Sequence, residues 1–187
     1  MNAAHCFLAI SVVGIAVGSA DAAITVFGSG EAVACYDAAE GRTGYVPGAK
    51  SCRTALDTLA LSRDQRAATY VNYGIVLMHL ARPHDALRQY QVALDIDDKL
   101  GAAWVNRGIA RWHGERDAAA ALADLDRGIA LGTTDPHVAH YVRGVVNERL
   151  GRLQQAYVDY MRAAELAPEW DMPKAELARF SVQPAGR

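Results

Sequence analysis

Apolar residues recur at helical spacing along the middle of the chain. In the first such segment they are Ala67, Tyr70, Val71, Gly74, Ile75 and Met78. Steps of three and four residues are typical of one face of an α-helix. The pattern breaks at Pro83, which lacks an amide donor, and Asp85 can cap a following helix. We therefore predict one helix over residues 64–81 and a second over 85–96.

The same spacing of small and aromatic residues occurs three times. Ala86, Tyr90 and Ala93 recur 35 residues later, and again after 35 more, as Ala121, Leu125 and Gly128 and then Ala156, Tyr160 and Ala163. A glycine precedes each set, at Gly74, Gly108 and Gly144. Such a period indicates a helical solenoid, whose units bury their apolar faces against one another. Two further helix pairs are predicted, over 102–113 with 117–131 and over 137–150 with 153–166.

The repeated unit resembles the tetratricopeptide-repeat family. The segments that carry the resemblance are Trp104-Val-Asn106-Arg-Gly108 and Gly151-x4-Ala156-x3-Tyr160-x2-Ala163-x4-Pro168. The resemblance covers about residues 66–168 and implies an all-α helical-hairpin solenoid. Within residues 64–168 the three repeats fall at about 67–100, 101–136 and 137–170. Unit two departs in two ways: Gly128 replaces the usual alanine, which predicts a slightly looser second helix, and one residue is inserted in the turn 114–117.

Both flanks of the repeats are predicted to act as caps. Residues 171–187 hold a capping helix, over about 173–180, and a tail. Residues 23–63 hold a leader and a degenerate helical hairpin. Its helices are predicted over 30–39 and 51–61, because the glycine-rich stretch between them reads as a loop.

The first 22 residues predict a signal peptide. An apolar run from Cys6 to Val17 leads to Ala20-Asp-Ala22, an A-x-A cleavage motif, although the start of the chain lacks Lys and Arg. An uncleaved anchor or a buried helix is the alternative, but the run is short against the ~20 residues of a spanning helix. We expect cleavage after Ala22, a periplasmic or secreted protein, and no stable membrane insertion after processing.

Export would leave two cysteines in the mature chain, Cys35 and Cys52. An even pair in an oxidising compartment favours a disulfide. A redox or metal pair would need a C-x-x-C arrangement or nearby histidines, and the sequence between the two cysteines offers neither. The bridge would join the two helices of the N-terminal hairpin.

Composition, charge and motifs narrow the class of function. Apolar residues make up 51% and charged residues 21%, and the net charge of −2 gives no attraction toward nucleic acid. No P-loop, G-x-G-x-x-G or H-E-x-x-H motif is present in the sequence, so we predict no enzymatic activity and no cofactor. The pairs His79 with His113 and His137 with His140 lack a carboxylate or cysteine partner in the sequence pattern. They are weak metal signals, and no metal site is predicted.

The resemblance implies that the first helices of successive repeats line a concave groove. Mapped onto this chain, the groove residues are Val71, Ile75, Met78, His79, Val105, Ile109, Trp112, His113, Tyr141, Val145 and Arg149. Members of the family that clamp a terminal carboxylate place Asn with Lys or Arg here, whereas this floor is apolar. It favours an amphipathic helix or a non-polar extended segment of a protein partner. The alternative is that the chain's own ends or a second copy, in a homo-oligomer, fill the groove.

Overall fold

The computed structural model describes residues 23–24 and 30–180, which form helices and no strand. The helices are α1 (Glu31–Ala39), α2 (Tyr45–Thr58), α3 (Arg63–His79), α4 (Pro83–Ile96), α5 (Gly101–Ala110), α6 (Ala118–Leu131), α7 (Pro136–Arg149), α8 (Leu153–Leu166) and α9 (Asp171–Leu177). They pack as four consecutive hairpins, and α9 lies against α8. The predicted all-α solenoid is confirmed. None of the described helices is long and apolar enough to cross a bilayer, and the predicted signal peptide lies outside the described residues.

In each of the three repeats, the hairpin closes where a glycine of its first helix meets a large residue of its second. A Cβ on Gly74 would lie 2.3 Å from Cε1 of Tyr90, and a Cβ on Gly144 would lie 2.8 Å from Cε1 of Tyr160. Both tyrosine rings are almost fully buried. The ring therefore fills the space that a side chain on the glycine would take, and glycine and ring form one packing unit.

The hairpin of unit two, α5 with α6, is tight, and the prediction of a looser second helix at Gly128 is wrong. A Cβ on Gly128 would lie 2.5 Å from Cγ2 of Val105 and 2.8 Å from the carbonyl oxygen of Gly101. Glycine at this position lets α6 approach the backbone of α5 more closely than alanine would allow.

The extra residue of unit two widens a helix and does not lengthen a turn. Gly108 and Ala121 are 13 residues apart, whereas Gly74 and Ala86 are 12 apart. After α5 the chain continues as a π-helical segment, Arg111–Glu115. A π-turn holds one more residue than an α-turn, so it accommodates the insertion within the first helix of the hairpin.

The N-terminal hairpin differs from its prediction because α2 begins at Tyr45, six residues earlier than predicted. Pro47 lies in the first turn, where a missing amide donor is tolerated. Gly48 lies within the helix because a Cβ there would be 2.1 Å from Cβ of Ala38. This glycine lets α2 approach α1 closely. The other predicted helix ends lie within three residues of the observed ones.

A disulfide joins the two helices of this hairpin. Cys35 of α1 and Cys52 of α2 form the bond, and both are fully buried. The hairpin packs against α3 through both of its helices. The disulfide therefore fixes the cap at the end of the array, where a solenoid has no neighbouring repeat to hold it.

In units two and three, an arginine of the first helix pairs with a buried aspartate of the second. Arg107 donates from Nε and Nη2 to the two carboxylate oxygens of Asp124, each at 2.8 Å. Arg143 donates to Asp159 from Nε at 3.0 Å and from Nη2 at 2.6 Å. Bidentate pairs of this kind fix the relative position of the two helices and also pair the opposite charges.

The pKa of Asp159 reflects two opposing effects. Burial alone would raise the pKa of this carboxyl, but the hydrogen bonds from His140 and Arg143, with the charge of Arg143, hold it below its ordinary value of 3.8. The folded state therefore favours the carboxylate more strongly than the unfolded state does.

We predict that replacing Cys35 and Cys52 together with alanine lowers the free energy of unfolding. The loss should be about 3 kcal/mol, because the bond closes a loop of 17 residues in the unfolded chain. Urea denaturation measures it, and the wild type treated with reductant should match the variant. Thiol labelling of the folded, oxidised protein that modifies Cys35 and Cys52 would contradict the disulfide.

We also predict that Asp159→Asn lowers stability at neutral pH by about 2 kcal/mol, since it removes hydrogen bonds made to a charged group. The folded-state pKa is depressed, so the contribution of Asp159 is complete above 3.8 and is lost as pH falls through the folded-state pKa. The difference between wild type and variant should shrink accordingly in denaturation curves at acidic pH. Asp171→Asn is the control, because this carboxylate is exposed; an equal effect from both variants would sink the argument.

Candidate functional site

The predicted groove residues lie on α3, on α5 with its π-helical segment, and on α7. Six of them are buried, namely Val71, Ile75, Val105, Ile109, Trp112 and Tyr141. Four are partly exposed and one is exposed, namely Met78, His79, His113 and Val145, and then Arg149. The apolar floor predicted from the sequence is therefore not an open surface at the six buried positions, where the side chains pack in the core.

These residues fall into neighbouring clusters. Val71 and Ile75 belong to the core formed with the N-terminal hairpin, while Val105, Ile109 and Trp112 belong to the core of the next repeats; the partly exposed Met78 packs against both. Val145 packs between the core around Trp112 and the one around Tyr141. The structure thus joins the predicted residues repeat by repeat, through Met78 and Val145.

Asn72 lies on α3 and was not selected by the sequence analysis. Its side chain binds the main chain of Ile24. Its Nδ2 donates to the carbonyl oxygen of Ile24 at 2.8 Å, and its Oδ1 accepts from the amide of Ile24 at 2.9 Å. One side-chain amide thereby satisfies both main-chain groups of a residue that belongs to no helix. Asn72 is fully buried beneath this contact.

The segment bound by Asn72 also makes apolar contacts. Ala23 and Ile24 pack against the core that contains Val71 and Ile75, and Ile24 packs in addition against a small cluster that includes Ala32 and Ala55. The segment therefore bridges α3 and the N-terminal hairpin. At this position the chain's own N-terminal residues cover the first helix of a repeat.

The segments that flank the three repeats contact two other predicted groove residues. The ring of Tyr45 stacks on His79 with centroids 4.3 Å apart. At the opposite end Trp170 contacts Tyr141, with ring centroids 4.9 Å apart. Burial, together with the nearby charge of Glu176, raises the pKa of Tyr141 to about 12, so its hydroxyl stays protonated.

Two further features of the described residues bear on the chemistry of a site: possible metal ligands and the charges that line a cleft. Among the described residues, no three His, Cys, Asp or Glu side chains come together to hold a metal ion. A cleft of about 260 Å³ lies between α6, α7 and α8, and its lining includes Arg143 and Asp159. These two side chains pair with each other, so the cleft presents a largely compensated charge.

One feature of the sequence marks Asn72. Asparagine stands two residues before the glycine of the hairpin in units one and two, as Asn72 and Asn106, and valine takes the place in unit three, as Val142. The sequence signal for Asn72 was therefore a polar side chain that recurs at the same helix position in two repeats and is replaced by an apolar one in the third.

No protein-family model matches the chain, and no curated protein matches it. Among solved structures, the first TPR of Spaghetti (RPAP3) bound to the HSP90 peptide SRMEEVD is 25% identical, with a TM-score of 0.58, over 62% of this chain and 90% of that one. MamA is 19% identical, with a TM-score of 0.62, over 81% of this chain and 82% of that one. The APC/C hetero-tetramer Cut9-Hcn1 is 17% identical, with a TM-score of 0.67, over 80% of this chain but 28% of that one. The repeat pattern and these neighbours agree: the chain is built on the tetratricopeptide-repeat fold.

Proposed function

We propose that the chain is a protein-interaction scaffold of the bacterial envelope, which holds an extended segment of a partner along the first helices of its repeats. The observation that carries the proposal is the pair of hydrogen bonds between Asn72 and the main chain of Ile24. A structural neighbour with this fold is bound to a peptide, which supports the same class of function.

The contact at Asn72 favours an extended partner over an amphipathic helix. An amide side chain that binds both main-chain groups of one residue needs those groups to be free. In a helix they are already bonded to the residues four positions away, whereas an extended segment presents them.

The partly exposed residues supply a place for the partner's side chains. Met78, Val145 and the exposed Arg149 lie on the first helices of the repeats and are not fully buried. An apolar contact at Met78 or Val145 with a polar rim at Arg149 is the usual anatomy of a peptide site.

A second candidate is self-association, and the same contact supports it. Ala23 and Ile24 already occupy the face at Asn72, so the segment from one copy could bind α3 of another. Exchange of an identical element is a common route from monomer to dimer.

Location in the envelope rests on the sequence and is consistent with the bond between Cys35 and Cys52. Disulfides persist in oxidising compartments and are rare where thioredoxin and glutathione keep thiols reduced.

We predict that Val145→Glu abolishes capture of the partner. A carboxylate at a partly buried apolar position would require desolvation when the partner binds. Tagged wild type and variant are captured from the envelope fraction and the bound proteins are identified. Val158→Glu, the same change at an exposed position of α8, is the control and should keep the partner.

Melting curves should first establish that Val145→Glu is folded. A partner retained by both variants would place the site elsewhere. If no partner is captured by the wild type, sedimentation equilibrium of the purified chain decides whether self-association is the function.

We predict that the mature protein lacks the first 22 residues and begins at Ala23. Intact mass spectrometry of the protein from its native envelope fraction measures this directly. A full-length species recovered from the membranes would replace export with anchoring.

A further inference from the structure

We propose that the turn between α7 and α8 binds the surface of an anionic lipid bilayer. Leu150 and Leu153 enter the headgroup region, and Arg152 contacts the lipid phosphates. This segment, residues 149–153, is the third turn. The inference goes beyond the proposed function, because the ligand there is a segment of a protein and here it is a membrane surface.

Exposed apolar side chains are concentrated around the third turn. Five large apolar residues are exposed in the part of the chain that the structure describes, and four of them lie on unit three: Leu150, Leu153, Val158 and Met161. Leu150 is 44% exposed and Leu153 is 54% exposed. All residues of the range 149–155 are exposed. Solvent therefore surrounds the turn, which presents its two leucines on a protrusion and not on the wall of a groove.

The corresponding turn of unit one is covered. Leu80 takes the place of Leu150 and packs against the core. Pro83 takes the place of Leu153, and a Cβ added to Gly114 would lie 2.8 Å from the Cβ of this proline. The first helix of the next hairpin therefore lies over the turn of unit one. Within the described residues, unit three is followed only by α9, a helix of seven residues, so the two leucines stay open to a ligand.

The third turn also carries positive charge that no neighbour cancels. In unit one Arg82 pairs with Asp85. The corresponding residues of unit three are Arg152 and Gln155, so the carboxylate is missing. Arg152 consequently has no ion pair within the described ranges.

The carboxylate nearest in sequence is already bound. Arg179 donates to both carboxylate oxygens of Glu148 at 2.8 Å, and the hydroxyl of Tyr160 donates to the same group. Arg149 is exposed and makes no ion pair with a described residue. The third turn therefore places two cations, Arg149 and Arg152, beside two exposed leucines.

An anionic bilayer surface suits this combination. Leucine side chains bury at the boundary between headgroups and acyl chains, while arginine keeps its guanidinium at the level of the phosphates. Each basic residue near an anionic surface strengthens binding about 5-fold. A fluid bilayer can close around a protruding turn, whereas a protein partner needs a pocket that matches it. The net charge of the chain is −2, so attraction to such a surface depends on the local charge of the turn.

The test measures co-sedimentation of the processed chain with large vesicles. The vesicles consist of phosphatidylcholine alone or of phosphatidylcholine with an equal part of phosphatidylglycerol. We expect binding to the mixed vesicles to be at least ~10-fold tighter, because the exposed arginines contact anionic headgroups. Added salt should remove most of this difference, since exposed charges are screened.

Two variants separate the charge from the apolar contact. Arg152→Gln should weaken binding to the mixed vesicles by ~5-fold and leave binding to phosphatidylcholine unchanged. Leu153→Ser should weaken binding to the mixed vesicles by roughly 5-fold, because it removes apolar area that the bilayer would bury. Arg127→Gln on α6 and Val158→Ser on α8 are the matched controls at exposed positions and should bind like the wild type. Melting curves should show the same Tm for all four variants.

Three results would overturn the proposal: no binding to the mixed vesicles, equal binding to both kinds of vesicle, or equal losses with Arg152→Gln and Arg127→Gln. Binding that Leu153→Ser leaves unchanged would reduce the turn to a phosphate contact and also contradict it. If the wild type binds no vesicles and Leu153→Ser loses a captured envelope protein, the turn is a protein contact instead. The scaffold function is tested separately, since Val145→Glu should lose the protein partner and keep vesicle binding, and Leu153→Ser should do the reverse.

Discussion

The close approach of two helices at a glycine is the constraint on which the rest of this structure depends. In units one and three the glycine faces a buried tyrosine, and in unit two Gly108 lies against Leu125, whose Cγ would be 3.0 Å from an added Cβ. This contact fixes the distance and rotation of the two helices, and with them the face that each first helix presents to its neighbours. The repeat period follows, because one glycine and one large residue must return in every unit.

This constraint also explains which parts of the fold the sequence could predict. The three repeats were predictable because their glycines and large residues recur in phase. The start of α2 could not be predicted, because Pro47 and Gly48 are residue types that are common in loops. In the structure Pro47 lies in the first turn of the helix, and Gly48 contacts Ala38. Glycine signals a turn or a close contact with equal strength, and only the partner residue distinguishes the two. At Gly128 the missing methyl group suggested a looser helix, and only the neighbouring Val105 and Gly101 show that it permits a close contact.

The candidate site was less predictable for a different reason. Helical periodicity identifies which residues share a face, but not what covers that face. Val71 and Ile75 were assigned to an open groove, and they are buried against the N-terminal hairpin and the segment at Ile24. Asn72 was missed because its partner lies 48 residues away in the chain and contributes main-chain atoms, which carry no sequence signal. The unpaired amide of Asn106 is likewise visible only in three dimensions.

Two neighbouring positions of the first helices make different kinds of contact. The residue just before the glycine is arginine in units two and three, and it ties the hairpin together through Asp124 or Asp159. The residue before that is asparagine in units one and two. Adjacent residues on a helix point about 100° apart, so the two side chains reach different neighbours and can be selected independently. Unit two alone among the three repeats has both: Arg107 pairs with Asp124, and Nδ2 of Asn106 has no hydrogen-bond partner within the described part of the chain.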